Sequence, residues 1–411
     1  MSHVLVMALP LAIGLGLAGL AARRGWAPGL AVTMCVGASL RLVVMLIAAQ
    51  DSWQPYDLAD DFLKTADYVL DGRDPLLALL EIREGGGWHF LPFMAYLLAG
   101  ERELGLVLGL PWEFTARLGP VLADLALIPL VGKLATERRE LRSFQYACVP
   151  PALMISGIHG QFVPITLLFG VAALLAARRQ RSWLAGLCIG LSVTATTWSV
   201  LLLPGVLKSV RGLRSRLTVL GLTGAVPLAF LLSGPLVLDT PLSRLPDSIK
   251  TIISARPVVG DWGWTALVTG GEQQVSPALS RVGSLVLLTA VIAAWWWWRR
   301  ADPLNLTIAL LLVFIVVTYR FGSQYLVWAL PFLIARPTRG TWPAIIVASG
   351  WAAFGYLYMT RLNYIAWGET HTWWALSSPI VIAMLIWALP WRRRTVPESG
   401  EISAIRQPAP T

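Results

Sequence analysis

VLVMALPLAIGLGLAGLAA occupies residues 4–22 and runs without a charge into Arg23-Arg24. As a helix rising about 1.5 Å per residue, it is long enough to cross a hydrocarbon core of about 30 Å. LTVLGLTGAVPLAFLLSGPLVL at 217–238 and LSRVGSLVLLTAVIAAWWWW at 279–298 repeat the pattern, the second again closing on a basic pair, Arg299-Arg300. Across its 411 residues the chain is 56% hydrophobic and 14% charged, where soluble domains carry about 25% charge. A soluble enzyme is excluded. The expected fold class is all-α, a polytopic transmembrane protein of about 11–13 helices, because helices satisfy their own backbone in lipid.

The net charge of +10 does not mark a nucleic-acid binder, because the cations sit in short loops between apolar runs. These are Arg23-Arg24, Lys133 to Arg142, Arg178-Arg179-Arg181, Lys208 to Arg216, Arg299-Arg300, Arg336 to Arg339 and Arg392-Arg393-Arg394. That is the charge bias of cytoplasmic loops. Placing each of them inside makes 1–391 a single transmembrane domain of a plasma (inner) membrane, with long outer loops at 50–113 and 239–277. Residues 392–411 form a disordered cytoplasmic tail. The first run lacks preceding cations and reads as a span, not as a cleaved leader. Residues 183–207 are too short for two spans yet return to the side they left, so they read as a short hairpin or a broken helix. Cys35, Cys148 and Cys188 lie in or beside apolar runs without metal-like spacing, and read as small buried hydrophobes.

The acids are concentrated in one place. Loop 50–113 holds 12 of the 23 Asp and Glu, against four Lys and Arg. Within it, YDLADDFLKTADYVLD at 56–71 places Asp57, Asp60, Asp61, Lys64, Asp67 and Asp71 on one helical face. Leu58, Phe62, Thr65, Ala66 and Val69 lie on the other. Gly72 and Pro75 end it. Such a helix lies on the membrane surface, carboxylates away from lipid. Periodicity alone leaves two readings open: a solvated acidic face with Asp57 as a cap, or a set of working carboxylates.

Other polar groups belong to the same side. SGIHGQ at 156–161 forms a hairpin apex, and Tyr319, Arg320 and Gln324 occupy a turn between two apolar runs. An arginine at membrane depth is costly and pairs with a carboxylate or faces an anion; Gln324, at i+4, would point the same way. Trp262 and Trp264 in the second outer loop offer rings for stacking on a sugar, while Trp295 to Trp298 read as an interfacial belt. No GxGxxG or P-loop pattern is present.

In this order the features resemble the GT-C superfamily of integral-membrane glycosyltransferases, and more narrowly the actinobacterial family 87 polyprenyl-phosphomannose-dependent mannosyltransferases. The resemblance rests on Asp57-Leu-Ala-Asp60-Asp61-Phe62, Gly72-Arg73-Asp74-Pro75, Ala116-Arg117-Leu118 with Pro120 and Asp124, and Pro150-Pro151 with His159-Gly160-Gln161-Phe162. It continues through Ala185-Gly186, Leu203-Pro204-Gly205, Gln324-Tyr325-Leu326-Val327-Trp328 and Pro331-Phe332. Three features differ from the family pattern: Val163 stands where a carboxylate is frequent, Thr196 or Thr197 where a lysine is, and the spacing from Asp57 to the aromatic is one residue longer than usual, so that Asp57, Asp60 and Asp61 compete for the catalytic role.

The resemblance implies a polyprenyl-phosphate-linked hexose donor (mannose), a lipid or glycan acceptor and transfer with inversion on the extracytoplasmic face. It makes Asp57, Asp60 or Asp61, in that order of preference, the general base. Arg320, Gln324, His159, Gln161, Arg117, Tyr319, Trp262, Trp264 and His89 become the substrate-binding set. No cofactor is required, although Mg²⁺ or Mn²⁺ suits a carboxylate cluster facing a phosphate. A transporter or lipid flippase is the rival reading, opposed by the lack of an internal repeat and by the acidic loop. A non-catalytic relative is a third.

Overall fold

The computed structural model describes residues 2–82, 88, 90–254 and 258–391. His89, Arg256 and the tail at 392–411 lie outside the described residues. The described chain is helical throughout, apart from an isolated bridge between Val259 and Gln274. Val4–Arg24, Leu30–Ala49, Trp112–Leu134 and Pro277–Trp298 are each long and apolar enough to cross a membrane. Val163–Arg178, Ser182–Ala195, Pro303–Val317 and Ser323–Ala335 are shorter apolar helices between them. This is the all-α polytopic architecture expected. Trp112–Leu134 is 56% buried and central, whereas Pro277–Trp298 is 11% buried and stands at the edge with most of its side chains exposed.

Inside a bilayer, close backbone approach does much of the work that apolar burial does in water. Gly190 shows it: a Cβ there would sit 2.7 Å from the Leu222 carbonyl oxygen, so Ser182–Ala195 packs directly on Leu213–Leu231. The 183–207 segment is a broken helix. Ser182–Ala195 ends, a 3-10 stretch follows over Thr197–Leu202, and Leu203–Ser209 resumes. The break is satisfied locally, as irregular backbone at this depth must be: Thr196 Oγ1 bonds Thr166 Oγ1 at 2.8 Å, and Ser199 Oγ donates to the Thr196 carbonyl at 3.0 Å.

The charge pattern sorted the loops into two groups, and the fold brings each group together. At one end, Lys208 Nζ donates to the Arg299 carbonyl at 2.6 Å, Arg178 to the Leu134 carbonyl at 2.8 Å, and Arg336 pairs with Asp302. At the other, Asp239 N donates to the Gly72 carbonyl at 2.7 Å, Arg361 pairs with Asp51, and His371 Nε2 lies 2.9 Å from Asp261 Oδ1. Loops 50–113 and 239–277 are therefore packed on each other at one end of the bundle.

The acidic segment is a π-helical turn, Asp57–Phe62, continued by Leu63–Leu70, with Gly72 in the left-handed region at φ 72°. Leu58, Phe62, Thr65 and Ala66 are buried, as the periodicity expects. They do not rest on lipid. Phe62 stacks on Phe162 at 4.3 Å, and a second core forms under the segment from Leu58, Phe62, Ala66, Trp88, Met94 and Phe162. Loop 50–113 is thus a small helical layer with its own apolar interior.

Candidate active site

Two π-helical turns meet beneath that layer, Asp57–Phe62 and Met154–His159. A π turn carries one residue more than an α turn in the same rise, which re-aims the side chains at its ends; such bulges gather at working sites. Gly160 makes the contact close. Its φ is 72°, and a Cβ there would lie 2.6 Å from Leu58 Cδ1. Trp112 Nε1 donates to the Leu58 carbonyl at 2.8 Å and holds the first turn from the other side.

The meeting point joins one carboxylate to three polar partners. Gln161 Nε2 donates to Asp57 Oδ2 at 2.5 Å, and His159 Nε2 stands 3.4 Å from the same oxygen. The Gln161 and His159 Nε2 atoms are 3.2 Å apart. On its far side, His159 Nδ1 shares a 2.6 Å hydrogen bond with the Tyr356 phenol, which also bonds Ser323. The Asp57 side chain is 39% exposed while that of His159 is 10% exposed. The carboxylate faces outward, backed by a buried imidazole.

The neighbouring carboxylates differ. Asp60 accepts from Lys64 at 2.8 Å and from Tyr56 at 3.2 Å, the i+4 and i−4 contacts of a helix face. Asp61 is half-buried. Burial, and then the charges of Asp57 and Asp60, push its carboxyl up to about 6.

Several expected binding residues turn out to be framework. Arg117 is 1% exposed and spent on carbonyls: Nε and Nη2 donate to Ile158 O at 3.0 and 2.6 Å, Nη1 donates to Glu113 O, and Nη2 also reaches Gln54 Oε1 at 2.7 Å. It secures the turn that carries His159, with four of its five N–H groups engaged there. Trp262 is fully buried, stacked on Phe321 at 4.0 Å, with Nε1 donating to Ile315 O at 2.7 Å. Its ring is closed to a sugar, because Pro303–Val317 ends there and its last carbonyls need donors. Trp264 does the same for Val317 O at 3.0 Å. Tyr319 is buried against Gly283 of Pro277–Trp298. Together these side chains shape the turn that bears Arg320.

Arg320 itself is exposed, and among the described residues it has no ion-pair partner. Gln324 is not one α-turn further on. The chain is non-helical from Thr318 to Gly322, and Gln324 sits in the 3-10 turn Ser323–Val327 with its side chain folded over Gly322. Ser323, beside it, is the residue that reaches Tyr356 and so ties the Arg320 turn to His159. Among the described residues no group of three His, Cys, Asp or Glu is spaced to hold a metal ion.

Residues 89–319, more than half of the sequence, match glycosyltransferase family 87. The chain belongs to that family. No curated protein matches it. The matched span takes in Arg117, Asp124, His159, Gln161, Trp262, Trp264 and Tyr319, while Asp57, Arg320 and Tyr356 fall outside it.

This family 87 glycosyltransferase also holds a polar cluster that was not anticipated as a unit. Arg41 Nε donates to Asp124 Oδ2 at 2.8 Å with both side chains fully buried. Tyr146 and Ser156 hydroxyls donate to the same carboxylate at 2.7 and 2.9 Å, and Arg41 Nη1 reaches the Ala147 carbonyl at 2.8 Å. A charge inside the apolar run 30–49 was the available signal. Ser156 belongs to the π turn of His159, so the cluster braces the site from below. Tyr356, by contrast, gave no signal inside the run at 341–360.

Proposed function

We propose that this glycosyltransferase moves a hexose, mannose, from a polyprenyl-phosphate donor to a hydroxyl of a lipid or glycan acceptor. The reaction takes place on the extracytoplasmic face of a plasma membrane, with inversion at the anomeric carbon. The carrying observation is the Asp57 carboxylate, open outward and held at 2.5 Å by Gln161, with exposed Arg320, lacking an ion-pair partner among the described residues, on the turn that Ser323 ties to Tyr356 and His159. Of the three acids, Asp60 is engaged by Lys64 and Asp61 is half-buried, while Asp57 is open outward against Gln161 and His159, so Asp57 is the base of choice.

Asp57 takes the acceptor proton as the oxygen attacks the anomeric carbon from the side opposite the phosphate. The departing lipid phosphate gains charge, and Arg320 stabilises it more in the transition state than in the ground state. Cations gathered at the other end of the bundle support the sidedness, and mannose is what the resemblance to the polyprenyl-phosphomannose-dependent enzymes implies. No divalent cation is needed in this reading; one would have to displace Lys64 from Asp60.

Purified protein with labelled polyprenyl-phosphate mannose and a membrane lipid extract tests it. Wild type transfers label, and Asp57→Asn loses about 10²–10⁴-fold in turnover while remaining folded. Equal transfer by Asp57→Asn would remove the base from this position, and label transfer from a different sugar alone would correct the donor.

A further inference from the structure

Gln161 sets the proton pattern of the buried imidazole. Its Nε2 lies 2.5 Å from Asp57 Oδ2 and 3.2 Å from His159 Nε2. The reversed amide would press an acceptor oxygen against a carboxylate oxygen, so the –NH₂ group must face Asp57. One of its hydrogens goes to the carboxylate. The other is left for His159 Nε2, which therefore carries a lone pair. The imidazole proton then resides on Nδ1 and is donated to the Tyr356 oxygen at 2.6 Å. At rest, His159 presents an unprotonated Nε2, its lone pair shared only with the Gln161 amide, 3.4 Å from the oxygen of Asp57.

We propose that His159 accepts, at Nε2, the proton that Asp57 removes from the acceptor hydroxyl, so that the two form a proton-transfer pair. The proposal rests on the reading of Asp57 as general base. The acceptor O–H bond breaks and H–Oδ2 forms. Then Oδ2–H breaks and H–Nε2 forms, leaving an imidazolium beside a regenerated carboxylate. The proton leaves to water through the exposed Asp57 edge before the next turnover.

Imidazole is the stronger base of the two in water, so Nε2 is chemically suited to take a proton from a carboxylic acid. A protonated Oδ2 is a donor, and a contraction of about 0.5 Å brings Nε2 into hydrogen-bond range. The groups facing the imidazole agree with this. Asp57 favours the cation, the Tyr356 phenol is neutral and accepts Nδ1–H, and Arg117, tied to Ile158 O one residue away, holds the backbone. The device also explains why a histidine that is 8% exposed stands behind an open carboxylate. Its task is to empty the base, not to touch substrate.

The test is the pH dependence of kcat in detergent-purified wild type, His159→Gln, Tyr356→Phe and Asp57→Asn, with labelled donor. Turnover and both KM values are compared across pH in each protein. In His159→Gln, kcat falls about 10²-fold, its pH profile departs from that of wild type, and both KM values stay within about twofold. Tyr356→Phe removes the acceptor of Nδ1–H and lowers kcat about tenfold. Added imidazole restores part of the activity of His159→Ala and none of that of Asp57→Asn, a result no packing role would produce; it also carries the test if His159→Gln misfolds. Wild-type kcat and pH profile in His159→Gln, with Asp57→Asn inactive, would overturn the relay and leave the base. Full activity in Asp57→Asn would remove both.

Discussion

Asp124→Ala isolates what the buried ion pair does. Asp124 accepts from Arg41, Tyr146 and Ser156 at 2.8, 2.7 and 2.9 Å, and neither it nor Arg41 has any exposed surface. Truncation removes all three bonds and leaves a guanidinium in an apolar interior. Breaking one side of a buried pair costs about 3–5 kcal/mol, and for a chain this long each kcal/mol shifts the melting temperature by roughly 1–2 °C. A fall of roughly 3–10 °C is expected when tryptophan fluorescence follows thermal unfolding in detergent. The double variant Arg41→Met/Asp124→Leu replaces the pair with apolar groups of similar volume and should recover at least half of the loss. Transfer activity should stay low in both, because Ser156 loses its anchor in the turn that carries His159. An unchanged melting temperature in Asp124→Ala, or a double variant as unstable as the two singles added together, would show that the pair is not what holds these helices.

Three further outcomes follow from the geometry. Arg320→Gln should lose most donor binding and Arg320→Lys only part of it, measured as donor KM, since lysine keeps the charge and loses the fork; normal KM in Arg320→Gln would place the phosphate elsewhere. Glu101, 7% exposed and accepting from Gly119 N at 2.8 Å, has its carboxyl raised by burial to about 8. The folded state therefore holds that proton more tightly than the unfolded one, and wild type should lose up to about 5 kcal/mol as pH climbs from about 4.5 to about 8. Glu101→Gln keeps the acceptor without the titration, so parallel melting curves for the two proteins from pH 5 to pH 9 would contradict the burial argument. Gly160→Ala, at φ 72° and in the path of Leu58 Cδ1, should cost about 1–3 kcal/mol and lower turnover more than its melting temperature suggests, because it separates the two π turns.

How much of this was legible in the sequence depends on where each demand originates. Spans and loop sorting were readable because bilayer thickness and charge asymmetry act on the chain one segment at a time. The buried positions of the acidic segment were readable too, since Leu58, Phe62 and Ala66 share a face whatever covers it. What covers it was not. Phe162 lies a hundred residues away, and periodicity cannot tell a protein surface from a lipid one. Trp262 and Arg117 misled for a related reason. An outer-loop tryptophan and an arginine at a span entrance look like ligand groups, yet helix ends at Ile315 and Ile158 leave carbonyls that require donors. That need exists only once the helices have stopped there. Arg41 did carry a signal, a lone charge in an apolar run; Asp124, as its partner, could have been sought among the acids of neighbouring spans.

The candidate site therefore sits where local helix geometry fails twice in the same place. An α-helix at Asp57–Phe62 would keep Asp57 in register with Asp60, Lys64 and the solvated face, as the periodic reading supposed. The π turn adds a residue and turns Asp57 off that face toward Gln161, while Asp60 and Lys64 remain paired along it. The second π turn does the same for His159 against the run that precedes it. Each turn gives up regular hydrogen bonding, a local loss that persists only when the surroundings over-determine it. Here Trp112, Arg117 and the Arg41–Asp124 cluster supply that constraint from three directions. The distinction among three nearly adjacent aspartates, invisible in their spacing, arises from this pairing of irregular turns.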